Sequence, residues 1–146
     1  MMIEKILYPT DFSPHAEKCV EYILQMKECG VKEVVLLHVI DEHIIKFTEE
    51  ITEEAVTEEQ VVAECHRTGK QKLQALAETF HAAGINTKLL LEEGIPFSKI
   101  LEVADREAVS LIVLGHRGHN LAEELLLGSV AEKVARKSQR PVLLIR

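Results

Sequence analysis

Short apolar runs, each separated from the next by a segment of helical spacing, recur along this chain of 146 residues. The runs are Ile3–Tyr8, Glu33–Ile40 (core Val34, Val35, Leu36 and Leu37), Thr87–Leu91, Leu111–Leu114 and Val142–Ile145. The four best of them do not alternate polar with apolar residues, as expected when both faces are covered by helices. Strands buried on both faces and alternating with helices build a parallel sheet wound with helices on either side.

Between these strands the helical signals are specific. Ser13 followed by Pro14 reads as an N-cap with proline at the first helical position. Ala16, Cys19, Val20, Ile23 and Leu24 then form one stripe, which Gly30 ends. A long helix is expected from Thr57 to Ala83, with Val62, Cys65, Leu73, Leu76 and Phe80 inward and Gly84 as its stop. Pro96–Ala108 and Val130–Lys137 complete the helices. Residues 41–53 break the rhythm and read as an acidic loop. Glu49, Glu50, Glu53, Glu54, Glu58 and Glu59 form a solvated approach to a helix start, where acids suit the dipole. The length fits one domain, 1–146, and no repeat or linker divides it.

Composition narrows the partners. A net charge of −7 argues against nucleic acid or an anionic membrane as a general partner. No apolar run approaches the roughly 18 residues a membrane-spanning helix needs, and the start carries no secretory h-region. The cysteines, Cys19, Cys29 and Cys65, are odd in number without a Cys-x-x-Cys pair, so a reducing cytoplasm is expected. Cys19 and Cys65 fall on apolar helix faces and read as small core residues.

One connection carries chemistry. After Leu111–Leu114 come Gly115, His116, Arg117 and Gly118, then nine residues, then Gly128 and Ser129 opening a helix. Strand, glycine-bearing loop and helix N-terminus present bare backbone N–H groups to an anion, and glycines allow close approach and positive φ. The lysine of a P-loop is absent, so that mechanism does not transfer. Ser129 with Glu132 also matches a capping box, a rival to phosphate contact. His116 and His119 have metal-like spacing but lack a third ligand, which makes zinc a minority reading. In a doubly wound sheet the crevice opens at the strand carboxyl ends, where strand order reverses. The segments leaving strands there are Pro9-Thr10-Asp11, Val39-Ile40-Asp41 and Leu114-Gly115. Asp11 is either a turn or cap carboxylate or an acceptor for a ligand in that crevice, a divalent metal included. His38 reads as a satisfied core histidine rather than a catalyst.

With these pieces in order, the chain resembles the nucleotide-binding kind of universal stress protein over its whole length. The resemblance rests on Tyr8-Pro9-Thr10-Asp11-Phe12-Ser13, Leu37-His38-Val39, the Gly115, Gly118, Gly128-Ser129 spacing and Pro141–Ile145. It implies a five-stranded parallel sheet in order 3-2-1-4-5 with helices on both faces, a Rossmann-like arrangement binding ATP or AMP across the switch point. By position, Asp11 and the Val39 backbone lie toward adenine and ribose, lined by Pro9 and Thr10. Gly115, His116, Gly118, Gly128, Ser129 and Val130 surround ribose and phosphates, with Mg²⁺ or Mn²⁺ as an accompanying ion. The resemblance also implies a homodimer through the edge strand 142–145, which is apolar enough to invite pairing.

The function expected is a dimeric cytoplasmic sensor or regulator in stress response. The alternative is a slow metal-dependent ATPase or phosphotransferase in the same pocket. No general base adjoins a nucleophile in any readable pattern, which favours binding over turnover. A partner-binding scaffold with a vestigial pocket is a third class.

Overall fold

A computed structural model describes residues 3–51, 57–116 and 127–146. The strands are β1 (Lys5–Pro9), β2 (Glu33–Asp41), β3 (Asn86–Gly94), β4 (Leu111–Gly115) and β5 (Val142–Ile145). They form one sheet in the order β3-β2-β1-β4-β5, the order the resemblance implies, with every neighbouring pair parallel as the strand–helix alternation predicts. The helices are α1 (Pro14–Gln25), α2 (Glu42–Ile51), α3 (Glu58–Ala82), α4 (Pro96–Arg106) and α5 (Ser129–Lys137).

Strand parity divides the core in two. Ile6, Tyr8, Val34, Leu36 and Val113 point to one face and meet Cys19 and Ile23 of α1 and Leu73, Ala77 and Phe80 of α3. Leu7, Val35, Leu37, Ile112 and Leu114 point to the other and meet Ile100 and Val103 of α4 and Val134 of α5. Burying both faces of the central strands is why their sequences read as unbroken apolar runs. Tyr8 keeps its polar atom satisfied inside this core, its hydroxyl donating to the Ala16 carbonyl at 2.5 Å. Burial pushes its phenol well above the ordinary range.

Local signals behave as chemistry dictates. Ser13 caps α1 by accepting from the Ala16 N–H, and Gly30 (φ +104°) and Gly84 (φ +80°) take the left-handed conformation just beyond their helices. Thr57 and Gln60 form a reciprocal capping box at the start of α3. The buried face of α3 begins at Val61 rather than Val62, and Cys65 is only half-buried.

The acidic loop expected at 41–53 is a helix over its described part. α2 follows β2 without a gap, and the Asp41 carboxylate accepts the His43 N–H at 2.9 Å in the manner of an N-cap. Ile45 is buried with Ile40 and Val61 in a small satellite core. β3 runs past the expected Leu91 to Gly94, because β2 offers a partner at every position to Asp41.

Candidate functional site

The carboxyl ends of β1, β2 and β4 converge on a cavity of about 480 Å³. At β1 the ladder continues past the strand, since the Thr10 N–H donates to the Leu37 carbonyl at 2.8 Å. The chain then turns sharply: Thr10 Oγ1 accepts from the Phe12 N–H at 3.0 Å and Asp11 Oδ1 from the Ser13 N–H at 2.9 Å. Phe12 adopts φ +62°, a left-handed conformation that costs a residue with a Cβ on the order of 1 kcal/mol. The Asp11 carboxylate therefore closes a turn and also lines the cavity, so both roles weighed for it coincide geometrically.

His38 supports this turn from β2, its Nδ1 lying 2.8 Å from the Thr10 carbonyl oxygen. A carbonyl only accepts, so Nδ1 is the nitrogen carrying hydrogen. The histidine is satisfied as expected, and the residue is also part of the cavity lining.

The opposite wall is built at the end of β4. The His116 N–H donates to the Ile145 carbonyl at 2.7 Å, and the Gly128 N–H donates back to the His116 carbonyl at 2.9 Å. This closes a neck between the end of β4 and the start of α5. Gly128 is the N-cap of α5, and the first intrahelical bond runs from Glu132 N–H to the Gly128 carbonyl. The N–H groups of Ser129, Val130 and Ala131 precede it and have no intrahelical acceptor; all three residues line the cavity.

Two local expectations are corrected here. The Ser129–Glu132 capping box does not form: the helix starts one residue earlier, Ser129 is already helical, and Glu132 pairs with Arg136 at 3.2 Å. Gly128 has φ −59°, and the described glycines with positive φ are Gly30, Gly84 and Gly94. A glycine at 128 thus leaves space rather than supplying an unusual backbone angle.

Pro9, Thr10, Asp11, Val39, Gly115, Gly128, Ser129 and Val130, all named from the sequence, line this one cavity. His116 contributes its backbone to the neck but does not line the cavity; its Nδ1 is buried with no hydrogen-bond partner. Gly118 and His119 lie outside the described residues. Sequence reasoning missed the part played by the α4 terminus, Pro96 and Ile100, and by Ile44 and Cys65. Proline at a helix start with an apolar residue four positions on marked the first pair. Burial pushes the Cys65 thiol up, away from the reactive thiolate.

Among the described lining residues there is no lysine or arginine, and the acids are Asp11 and Asp41. Positive potential for an anion comes instead from the α5 N-terminus, where unpaired N–H groups and the helix dipole add. No group of three or more His, Cys, Asp or Glu residues that could hold a metal ion occurs among the described residues. No described helix is long and apolar enough to cross a membrane.

Fold and site together define a doubly wound α/β protein with its crevice at the switch point between β1 and β4. Residues 2–146 match the model of the Universal stress protein family, and the chain belongs to that family. Universal stress protein MJ0577 of Methanocaldococcus jannaschii is 34% identical, covering 100% of this chain and 96% of that one. The solved structure of MJ0577 superposes with a TM-score of 0.88 at 36% identity, covering 99% of this chain and 96% of that one. The crystal structure of PH0823 has a TM-score of 0.80 at 38% identity, with coverage of 99% and 96%. A universal stress protein of Archaeoglobus fulgidus solved in complex with dAMP shares the fold at 22% identity, with a TM-score of 0.65 and full coverage of both chains.

Proposed function

We propose that the chain binds an adenine nucleotide, ATP or AMP, in the crevice between β1, β2 and β4, and serves as a dimeric cytoplasmic sensor or regulator in stress response. The observation that carries this reading is the row of three unpaired N–H groups at Ser129–Ala131, opening on the cavity that Asp11 and Val39 also line. Phosphate seats on the N–H groups. Asp11, a poor neighbour for phosphate, faces ribose hydroxyls or base N–H groups, while Leu37, Val39 and Ile100 supply apolar wall for the ring. The Archaeoglobus fulgidus relative holding dAMP supports an adenine nucleotide as the ligand class. A divalent cation, Mg²⁺ or Mn²⁺, fits here only as a companion of the phosphates, since hard cations want several oxygen ligands and the described lining offers two carboxylates.

The test is to denature freshly purified protein and identify released nucleotide by chromatography and mass, with Gly128→Val as control. The conformation at Gly128, φ −59° and ψ 147°, is one valine adopts freely. The variant should therefore fold while its side chain fills the phosphate end of the cavity. Stoichiometric nucleotide in the parent and none in the variant is the expected result. Equal nucleotide in both removes the assignment, as does a parent that is empty and shows no thermal shift with ATP and Mg²⁺. Metal-dependent ADP release by the parent, lost in the variant, would instead favour the slow ATPase.

A further inference from the structure

Around His38 and the β1–α1 turn stand three residues that do not line the cavity: Phe12, Lys72 and Gly69. The Phe12 ring packs on the His38 imidazole, centroids 4.6 Å apart and planes tilted by 41°. The Lys72 ammonium lies 5.3 Å from the centre of the same ring. His38 in turn holds the Thr10 carbonyl at 2.8 Å. From α3, Gly69 sits so close that a Cβ would lie 3.3 Å from His38 Cδ2 and 3.1 Å from Leu91 Cδ1. Contact thus runs from α3 through His38 to the β1–α1 turn.

Asp11 occupies the middle of that turn. On one side Thr10 is fixed to β2 through both its N–H and its carbonyl. On the other, Phe12 is held at φ +62°, which an unrestrained phenylalanine abandons for negative φ. The ring contacts with His38 and Lys72 add to the turn's own bonds, Phe12 N–H to Thr10 Oγ1 and Ser13 N–H to Asp11 Oδ1, in keeping it there. Releasing the ring lets the second anchor relax, and the carboxylate between the anchors turns with it.

We propose that Phe12, clamped by His38 and Lys72, is a positioning residue for Asp11, and that the close seat of Gly69 against His38 sets how that carboxylate is presented to ligand. The proposal rests on the nucleotide reading above. Phe12→Ala removes the clamp. Gly69→Ala presses on Leu91 Cδ1 at 3.1 Å and on His38 Cδ2 at 3.3 Å, so both must give by a few tenths of an ångström, while alanine's higher helix propensity offsets crowding.

The experiment titrates AMP into the parent, Phe12→Ala, Gly69→Ala and Asp11→Asn proteins, and into Asp11→Asn combined with each of the first two. Unfolding midpoints are recorded throughout. Each positioning substitution should weaken AMP binding roughly two- to thirtyfold, the range packing-mediated coupling spans. In the Asp11→Asn background neither should cost anything further, because the group they position is gone. Additive losses, or unchanged affinity in Gly69→Ala, overturn the proposal. Should Phe12→Ala fail to fold, Gly69→Ala with its Asp11→Asn partner decides alone. A parent that binds neither AMP nor ATP overturns the nucleotide reading together with this one. A parent whose binding is abolished by Gly128→Val but unaffected by Gly69→Ala overturns the positioning alone.

Discussion

At the scale of single residues, Ser129 separates what a side chain does for the fold from what it does for a ligand. It stands at the first position of α5 with Gly128 as the cap, and no side-chain hydrogen bond caps the helix. Ser129→Ala should therefore shift unfolding free energy by no more than about 0.5 kcal/mol, where loss of a real cap costs about 1 kcal/mol. Nucleotide affinity should nonetheless fall. Denaturant melts and a titration on the same variant check both halves, and a cap-sized loss of stability would restore the structural role. The serine was legible in the sequence as a site residue, but Ser-x-x-Glu cannot say where a helix begins when glycine precedes it, since glycine is itself an acceptable cap. Asp11 was readable for the opposite reason: Asp-x-Ser-Pro fixes a turn, and a turn at a strand end fixes where the carboxylate stands.

Among the elements, α2 is the one the sequence reading lost. A run of acids invites a loop assignment, yet Ile44, Ile45, Phe47 and Ile51 keep a helical spacing and Asp41 supplies the cap. Among the side chains described in α2, those of residues 42–46, only Ile45 is buried. Ile45 is 3% exposed within a cluster of three buried residues, whereas Ile44 is 58% exposed while lining the cavity. Helices with few buried contacts open locally before the domain unfolds. Native-state hydrogen exchange should show α2 amides opening at lower free energy than those of β1 or β2. Ile45→Ala should lower the α2 value by about 2 kcal/mol and leave the strand amides unchanged. Uniform loss across both would mean that α2 unfolds with the core. The central strands, by contrast, were readable because each must be apolar on two faces; β3, a charged edge strand, outruns its apolar stretch because β2 pairs with it to Gly94.

For the whole molecule, the two sheet edges differ. β3 carries charge along its length, with Lys88 on Glu107 at 2.8 Å, Glu92 on Arg106 at 2.8 Å and Glu93 on His66 at 2.7 Å. Lys88, with Lys5 behind it, holds the Glu107 carboxyl below the usual glutamate range. Such an edge resists pairing with another sheet. β5 is Val142-Leu143-Leu144-Ile145 without a charge. The carbonyls of Pro141 and Ile145 are taken by β4, so by alternation the main-chain groups of Val142 and Leu144 point outward. The proposed dimer forms across that edge. Leu144→Pro deletes an outward N–H and no bond to β4, so it should convert a sedimenting dimer to monomer while leaving nucleotide bound. An unaltered sedimentation profile would place the interface elsewhere. The apolar runs alone left the strand order open, and it came from the family resemblance carried by the motifs at the strand ends; pairing between chains leaves only the weaker trace of a bare edge.

The bond from Gly128 N–H to the His116 carbonyl has a consequence for how such a chain can change over time. Because the backbone is fastened at His116 and again at Gly128, the flanks of the sequence stretch 117–127 are set by bonds outside it. Insertions, deletions or transplants from a relative can alter its length and chemistry without disturbing the register of β4 on β5 or the phase of α5. Change at one end of the scaffold can therefore proceed by recombination of a single short segment, with β4, β5 and α5 left in place.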